Sequence, residues 1–367
     1  MSDPVQGTVV GPPLSWLAFT PRDTVFIRDG RSFDAGAQFQ ASTVRPWPST
    51  IAGALGAALG GEAGGVLGPV LAQHGPDGWE PWFPVPADLA TETGDGRYAV
   101  RLRPETVDGV TDLEDTAGRV GGVTRWLAPP PGLVTGKVEP LPGWLAGQQL
   151  GAYLAGELPG DGGVPVADLG LADPLYPEFR VGFAREVGRR VARTGFLYQA
   201  AHLRLADGWA FLAGYRPNPE WDDGPRPVAS LVQLGGRGRL ADVVPAEGFS
   251  WPAVPDRFEG GRVLVYVATP AIWPGGWRIP VPSGARLVAA ATGDPDAVAT
   301  TSPRLGWRTN RALRWAVPAG SVYLLQFDGE DEAVRWAHGV HGTAYGRDDD
   351  DRLRTAGFGV VLTGVWT

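Results

Sequence analysis

Ser321-Val322-Tyr323-Leu324-Leu325-Gln326-Phe327, followed by Glu330-Asp331-Glu332-Ala333-Val334-Arg335-Trp336-Ala337-His338-Gly339-Val340, is the stretch that decides the fold. The first run is apolar and closes at Asp328-Gly329, which reads as a buried strand. The second opens with Glu330 and Asp331, carboxylates that favour the positive end of a helix dipole. A further apolar run, Phe358 to Trp366, is entered through Gly357-Phe358-Gly359. Strand, helix, strand is half of a βαββαβ unit. The N-terminal region offers a second such beginning: an apolar segment, Leu14 to Phe19, and then a helix opening at Pro48-Ser49-Thr50. The chain therefore reads as α+β, with two ferredoxin-like (RRM-like, βαββαβ) domains elaborated by long Gly/Pro-rich loops. Residues 1–175 form the first and residues 176–367 the second, which carries a glycine-rich loop near the C-terminus.

Between the opening strand and helix lies Arg28-Asp29-Gly30-Arg31-Ser32-Phe33-Asp34-Ala35-Gly36. Glycines there let backbone approach a ligand or turn with positive φ. Ser49 or Thr50 is placed to cap the helix by accepting a backbone N–H. Ile51, Leu55, Ala58 and Leu59 fall on one face, so the helix packs on a sheet. A capped helix start beside Arg28 and Arg31 suits an anion such as phosphate. The other reading is a salt-bridged loop before an ordinary helix, and the residues leave both open.

With 367 residues the chain is long enough for two domains with sizeable cores. No apolar run of transmembrane length occurs, and Met1 to Pro13 lacks the basic and apolar regions of a secretory signal. The expected location is cytoplasmic, with no membrane partner. With 0 Cys there are no disulfides or thiolate metal sites. A net charge of −8 argues against indiscriminate coating of nucleic acid but leaves room for a focused basic site. Lys137 is the only lysine, so any such site rests on arginine, whose planar fork suits phosphate and base edges.

Elsewhere, Gly60 to Gly78 reads as a glycine-rich stretch ending in a loop, and Trp79 to Pro86 as an extended loop or sheet edge, because its prolines lack ladder donors. Gly143 to Leu154 reads as a helix. Phe196 to Leu205 and Trp209 to Tyr215 read as a hairpin across Ala206-Asp207-Gly208. Arg185, Arg189, Arg190 and Arg193 form a cationic cluster in the sequence, and Val263 to Ala268 is a buried strand.

Gly235-Gly236-Arg237-Gly238-Arg239 follows a strand and fits two descriptions, a phosphate-binding loop or a flexible turn. It matches no dinucleotide or Walker pattern, so no nucleotide cofactor is expected. Gly357-Phe358-Gly359 fits either an RNA backbone clamp or a strand entrance. Asp348 to Asp351 lacks the spacing of a calcium loop and reads as solvated. His74, His202, His338 and His341 have no partners at metal-ligand spacing, and no serine-nucleophile elbow occurs. No cofactor, metal site or catalytic residue is expected.

Several blocks, in order, resemble one family. They are Phe26-Ile27-Arg28-Asp29-Gly30-Arg31-Ser32-Phe33-Asp34-Ala35-Gly36 with Trp47-Pro48-Ser49-Thr50-Ile51-Ala52-Gly53-Ala54-Leu55; Arg180-Val181-Gly182-Phe183 with Arg193-Thr194-Gly195-Phe196-Leu197-Tyr198; Leu234-Gly235-Gly236-Arg237-Gly238-Arg239; Thr269-Pro270-Ala271-Ile272-Trp273-Pro274-Gly275-Gly276-Trp277; and Ala316-Val317-Pro318-Ala319-Gly320-Ser321-Val322-Tyr323. Together they are similar to the RAMP subunit of type III-B (Cmr) CRISPR effector complexes, which caps the 5′ end of the guide RNA. The resemblance implies a non-catalytic subunit acting in antiviral defence. It would bind the 5′ repeat-derived tag of the crRNA and contact the large polymerase–cyclase subunit and the backbone RAMP subunits. The RNA-binding residues it points to are Arg28, Arg31, Ser49, Thr50, Arg193, Gly235, Gly236, Arg237, Gly238, Arg239, Gly357 and Gly359. The alternative is a RAMP endoribonuclease that processes CRISPR repeat RNA, with His202 or His338 in acid–base roles.

Overall fold

The structure, a computed structural model, describes residues 14–27, 44–106, 125–160, 162–186, 188–189, 191–221, 228–300, 312–346 and 351–367, with the side chains of 184, 192–198, 300, 312 and 351 left aside. In chain order come β1 (Ser15–Pro21), β2 (Thr24–Val25), α1 (Pro48–Leu59), β3 (Gly65–Gly75), β4 (Gly78–Pro84), β5 (Leu89–Glu92), β6 (Tyr98–Arg101), β7 (Arg103–Glu105), β8 (Trp126–Ala128), β9 (Val138–Pro140), β10 (Trp144–Ala146), α2 (Gly147–Leu154), β11 (Val164–Pro165), β12 (Leu175–Arg185), β13 (Ala192–Leu205), β14 (Trp209–Arg216), β15 (Leu231–Gln233) and β16 (Leu240–Pro245). They are followed by β17 (Arg262–Val267), β18 (Ala285–Ala291), β19 (Asp296–Thr300), β20 (Ala312–Ala316), β21 (Val322–Phe327), α3 (Glu330–Val340), β22 (Thr343–Ala344), α4 (Asp351–Thr355) and β23 (Val360–Val365). The protein is mixed α/β and rich in strand, with several antiparallel sheets. None of the described helices is long and apolar enough to cross a membrane.

Two sheets lie face to face between two helices. The larger has the order β10-β4-β3-β14-β1-β16-β15, and the smaller β18-β21-β17-β23-β22. Strand alternation assigns the layers. In β1, Trp16 and Ala18 join a core shared with Leu264 and Tyr266 of β17 and Leu324 of β21, between the sheets. Leu17 and Phe19 point the other way, onto Ile51, Leu55 and Leu59 of α1. In the smaller sheet, Val263, Val265 and Val267 face Ala333 and Ala337 of α3. The small alanines let α3 approach closely. Burial on both faces explains why β17 and β21 are continuous apolar runs.

The helix Glu330–Val340 and the buried strand at Val263 stand where the sequence places them. Other elements differ, each for a physical reason. β14 does not pair with β13. It lies between β1 and β3, buried from Trp209 to Gly214, and that central place outweighs a local hairpin turn. β13 pairs with β12 and with β2 instead. The strand β4 is not an edge: it sits between β3 and β10, and its Pro81 is tolerated because β10 reaches only Trp82 to Pro84. Gly65–Gly75 is a full central strand despite Gly68 and Pro69. Pairing also crosses residue 175, since β1 bonds to both β14 and β16. Sheet membership changes between Pro245 and Arg262.

The start of α1 also differs. Pro48 is the first helical residue and Trp47 the cap, with no side-chain cap bond. Proline suits this place because its missing N–H is not needed there. Ser49 and Thr50 are thus inside the helix and cap nothing, and Thr50 N–H bonds Trp47 O at 2.9 Å. The helix ends at Gly60 in the left-handed conformation, φ 67°.

Candidate nucleic-acid interface

The sheet β12-β13-β2 and the turn between β15 and β16 build one charged surface. Residues alternate sides along β12, and this sorts them. Glu178 and Arg180 fall on one side, while Phe179, Val181 and Phe183 fall on the other and are exposed. Antiparallel register sets Glu178 opposite His202 and Tyr176 opposite Arg204, and β2 adds Thr24 opposite Arg204. Asp23, just before β2, thereby meets three guanidiniums: Arg180 at 2.9 Å, Arg204 at 3.0 Å and Arg239 at 2.6 Å. Glu178 bonds Arg180 and Arg204.

The arginine bonds hold the Asp23 carboxyl below the usual carboxylate range, Arg180 foremost. They lower Glu178 likewise, with Arg180 and then Arg204 as the causes. Arg237 is exposed and lies over the Phe26 ring at 5.1 Å. Four guanidiniums stand against two carboxylates, so the patch is cationic on a chain of net charge −8. The Nε of Arg239 is buried and has no partner among the described residues.

The glycine loop is fixed, not loose. Gly236 N–H bonds Phe26 O at 2.8 Å, and Leu234 N–H bonds Arg239 O at 2.8 Å. Gly235 has φ 81°, and a Cβ there would lie 2.9 Å from both Phe26 O and Ile27 Cγ1. Gly238 has φ 65° with open space around it. Arg237 has φ 57°, a left-handed conformation that side-chain-bearing residues rarely adopt. A non-glycine residue held there, in a loop that already has glycines, points to a use for its side chain.

His202 is buried at 3% exposure, with Nδ1 2.9 Å from Thr24 Oγ1 and its ring 4.9 Å from Phe26. Burial, and then Arg239, Arg180 and Arg237, push its pKa below 6.5. It is a neutral wall of the patch. His338 is elsewhere, bonded to Pro255 O on α3. Among the described residues no group of three His, Cys, Asp or Glu is placed to hold a metal.

Of the sequence candidates, the structure brings Gly235, Gly236, Arg237, Gly238 and Arg239 against Phe26 and Ile27, at the threshold of the segment holding Arg28 and Arg31. Those two arginines, with Asp29 and Asp34, lie outside the described residues, as do Arg190 and Asp348 to Asp350. Arg193 is in β13, its side chain not described. Ser49 is exposed and Thr50 half-buried at the start of α1. Gly357 and Gly359 are buried away from this patch. A Cβ on Gly357 would lie 2.9 Å from Gly68 O, and Gly357 O accepts the Thr269 hydroxyl at 2.7 Å. Packing against β3 accounts for Gly357, while Gly359, at φ 74°, would place a Cβ 3.1 Å from Tyr345 O. Sequence reading did not single out Asp23, Glu178 and Arg204, and took Arg180 only within a resemblant block. The signal available was the alternation of charge and apolar residues along β12.

Two solved chains align with the protein over 94% of its length and 95% of theirs. They are described as the type III-B Cmr-beta bound to cognate target RNA and AMPPnP, state 1 (16% identity, TM-score 0.46), and the type III-B Cmr-beta bound to cognate target RNA (14% identity, TM-score 0.48). No curated protein matches the chain. The family model of the CRISPR-associated protein Cas_Cmr3 matches residues 17–366, nearly the whole sequence, and the chain belongs to that family.

Proposed function

We propose that the chain is a non-catalytic RNA-binding subunit of a type III-B CRISPR (Cmr) effector complex. It holds the 5′ repeat-derived tag of the crRNA and docks the large polymerase–cyclase subunit beside the backbone RAMP subunits. The observation that carries this reading is the arginine patch. Loop 235–239 is bonded onto Phe26, with Arg237 over its ring, and Phe26 and Ile27 lead in sequence directly into the Arg28–Arg31 stretch that the family resemblance assigns to the tag. Arginines fixed by Asp23 and Glu178 are preorganised for phosphate, and the carboxylates keep them apart when RNA is absent. His202, buried and held by Thr24, fits a structural role better than proton transfer.

The finer fold reading belongs here too. The smaller sheet runs β18-β21-β17-β23, the order of a βαββαβ unit, with α3 between β21 and β23. Residues 269–284 stand where the first helix would be, and no helix is found there. The larger sheet would be the more heavily elaborated second unit.

Cross-linking tests the assignment. In a complex reconstituted with a guide carrying 4-thiouridine in the tag, the cross-linked peptides of this chain should include residues 228–245 or 175–205. Tag cross-links that reach only other subunits, with none in this chain, would contradict it.

A further inference from the structure

A cavity of about 430 Å³ opens between the larger sheet and the segments around Arg45 and Asp296. Such a volume is within the range of small-molecule sites, which are mostly apolar with a few placed polar groups. Its walls include Trp47, Trp82 and Trp144. The charged residues in the lining are Arg45 and Asp296. Arg45 lies over the Trp144 ring at 4.9 Å. Among the described residues, neither the Arg45 guanidinium nor the Asp296 carboxylate makes a hydrogen bond or closes an ion pair.

Burial pushes Arg45 below its ordinary value and Asp296 above its own, each partly offset by the other's charge. A third polar group is the indole N–H of Trp82, which is buried and has no partner among the described residues. Desolvated groups that bond to nothing are unfavourable and gain when a ligand bonds them.

The occupant must be flat, to lie among indoles. It must give donors to a carboxylate and acceptors to a guanidinium. Guanine does this: O6 and N7 accept from arginine, while N1–H and the 2-amino group donate. Adenine lacks both O6 and the paired donors.

We propose that this cavity binds a guanine base, with Asp296 accepting from N1–H and the 2-amino group and Arg45 donating to O6 and N7. This inference does not rest on the tag reading, because the cavity residues are not those of the arginine patch. The base could belong to a free nucleotide or to RNA.

The test titrates the purified full chain with GMP, AMP and IMP, following tryptophan fluorescence and heat. GMP should bind saturably, with AMP roughly ten- to a hundredfold weaker. IMP, lacking only the 2-amino group, should also be weaker. Asp296→Asn should erase the preference for GMP. If that variant fails to fold, the GMP-to-IMP comparison on the parent chain decides. A parallel titration with short RNAs carrying one guanine or one adenine separates the sources. Guanine preference in the oligonucleotide alone assigns RNA, and in GMP alone a free nucleotide. No saturable binding of GMP or of the guanine RNA, or no preference for guanine over adenine in either titration, would overturn the proposal.

Discussion

Arg239 Nη1 sits 2.6 Å from Asp23 Oδ2, joining a loop late in the larger sheet to the turn between its first strand and β2. The bond spans 216 residues of sequence. It aligns the glycine loop with the Phe26–Ile27 backbone, and the predictions follow from that alignment.

Arg237 should separate stability from function. Its left-handed backbone is unfavourable by about 1–2 kcal/mol for a residue with a side chain. Arg237→Gly relieves that strain, while it loses the Phe26 contact and gains unfolded-chain entropy. The melting free energy should stay within about 1 kcal/mol of the parent. Guide RNA retention should nevertheless fall. Unchanged retention would mean the side chain serves only the loop.

Gly235 and Gly238 should differ although both have positive φ. Gly238→Ala meets open space, so only the backbone penalty applies, about 1 kcal/mol. Gly235→Ala also drives a Cβ into Phe26 O and should lose about 2–4 kcal/mol by thermal or urea unfolding. Equal losses would contradict the packed loop.

Ser49→Ala should be nearly silent in thermal melting, within about 0.5 kcal/mol, because Trp47 caps α1 and Ser49 is exposed. A loss near 1 kcal/mol would restore Ser49 as a cap.

Acid should weaken the α3–β23 contact through His341. Its Nδ1 accepts the Thr363 N–H at 3.0 Å, and its Nε2–H donates to Pro252 O at 2.8 Å, so the neutral form is the bonded one. Burial, reinforced by His338, lowers its pKa below 6.5 despite the opposing backbone bonds. The unfolded chain then takes a proton that the folded one refuses. Stability from this site is full above the unfolded value and is lost as pH falls through the depressed folded value. Melting temperature should drop from about pH 7.5 to about pH 5.5, and less steeply in His341→Gln, whose amide can make both bonds. Parallel profiles would rule His341 out.

Elements whose burial is set locally were legible in the sequence. α3 shows in its acidic first turn, and β17 in its unbroken apolar run. β3 was hidden because Gly68 and Pro69 read as loop, although Gly68 is required where Leu212 O would lie 2.7 Å from a Cβ. The β14 pairing was missed because a turn signal is local, whereas the demand to bury both faces of β14 is set by β1 and β3. Half of the candidate site was legible, since glycines and arginines in one loop can be read directly. Asp23 could not be placed, because it meets Arg180 and Arg204 only through pairing across more than 150 residues, and Glu178 meets Arg204 only through the register of β12 against β13.

The most direct measurement is guide retention by the reconstituted complex as salt rises, comparing the parent with the Arg237→Ala/Arg239→Ala double variant. If both arginines contact phosphate, the double variant should bind the guide more weakly. The slope of log affinity against log salt should be shallower by about 1–2 for this single-stranded tag. Full folding of the variant, checked by its melting curve, is part of the expected result. An unchanged slope with a normally folded variant would contradict the assignment of this patch to RNA.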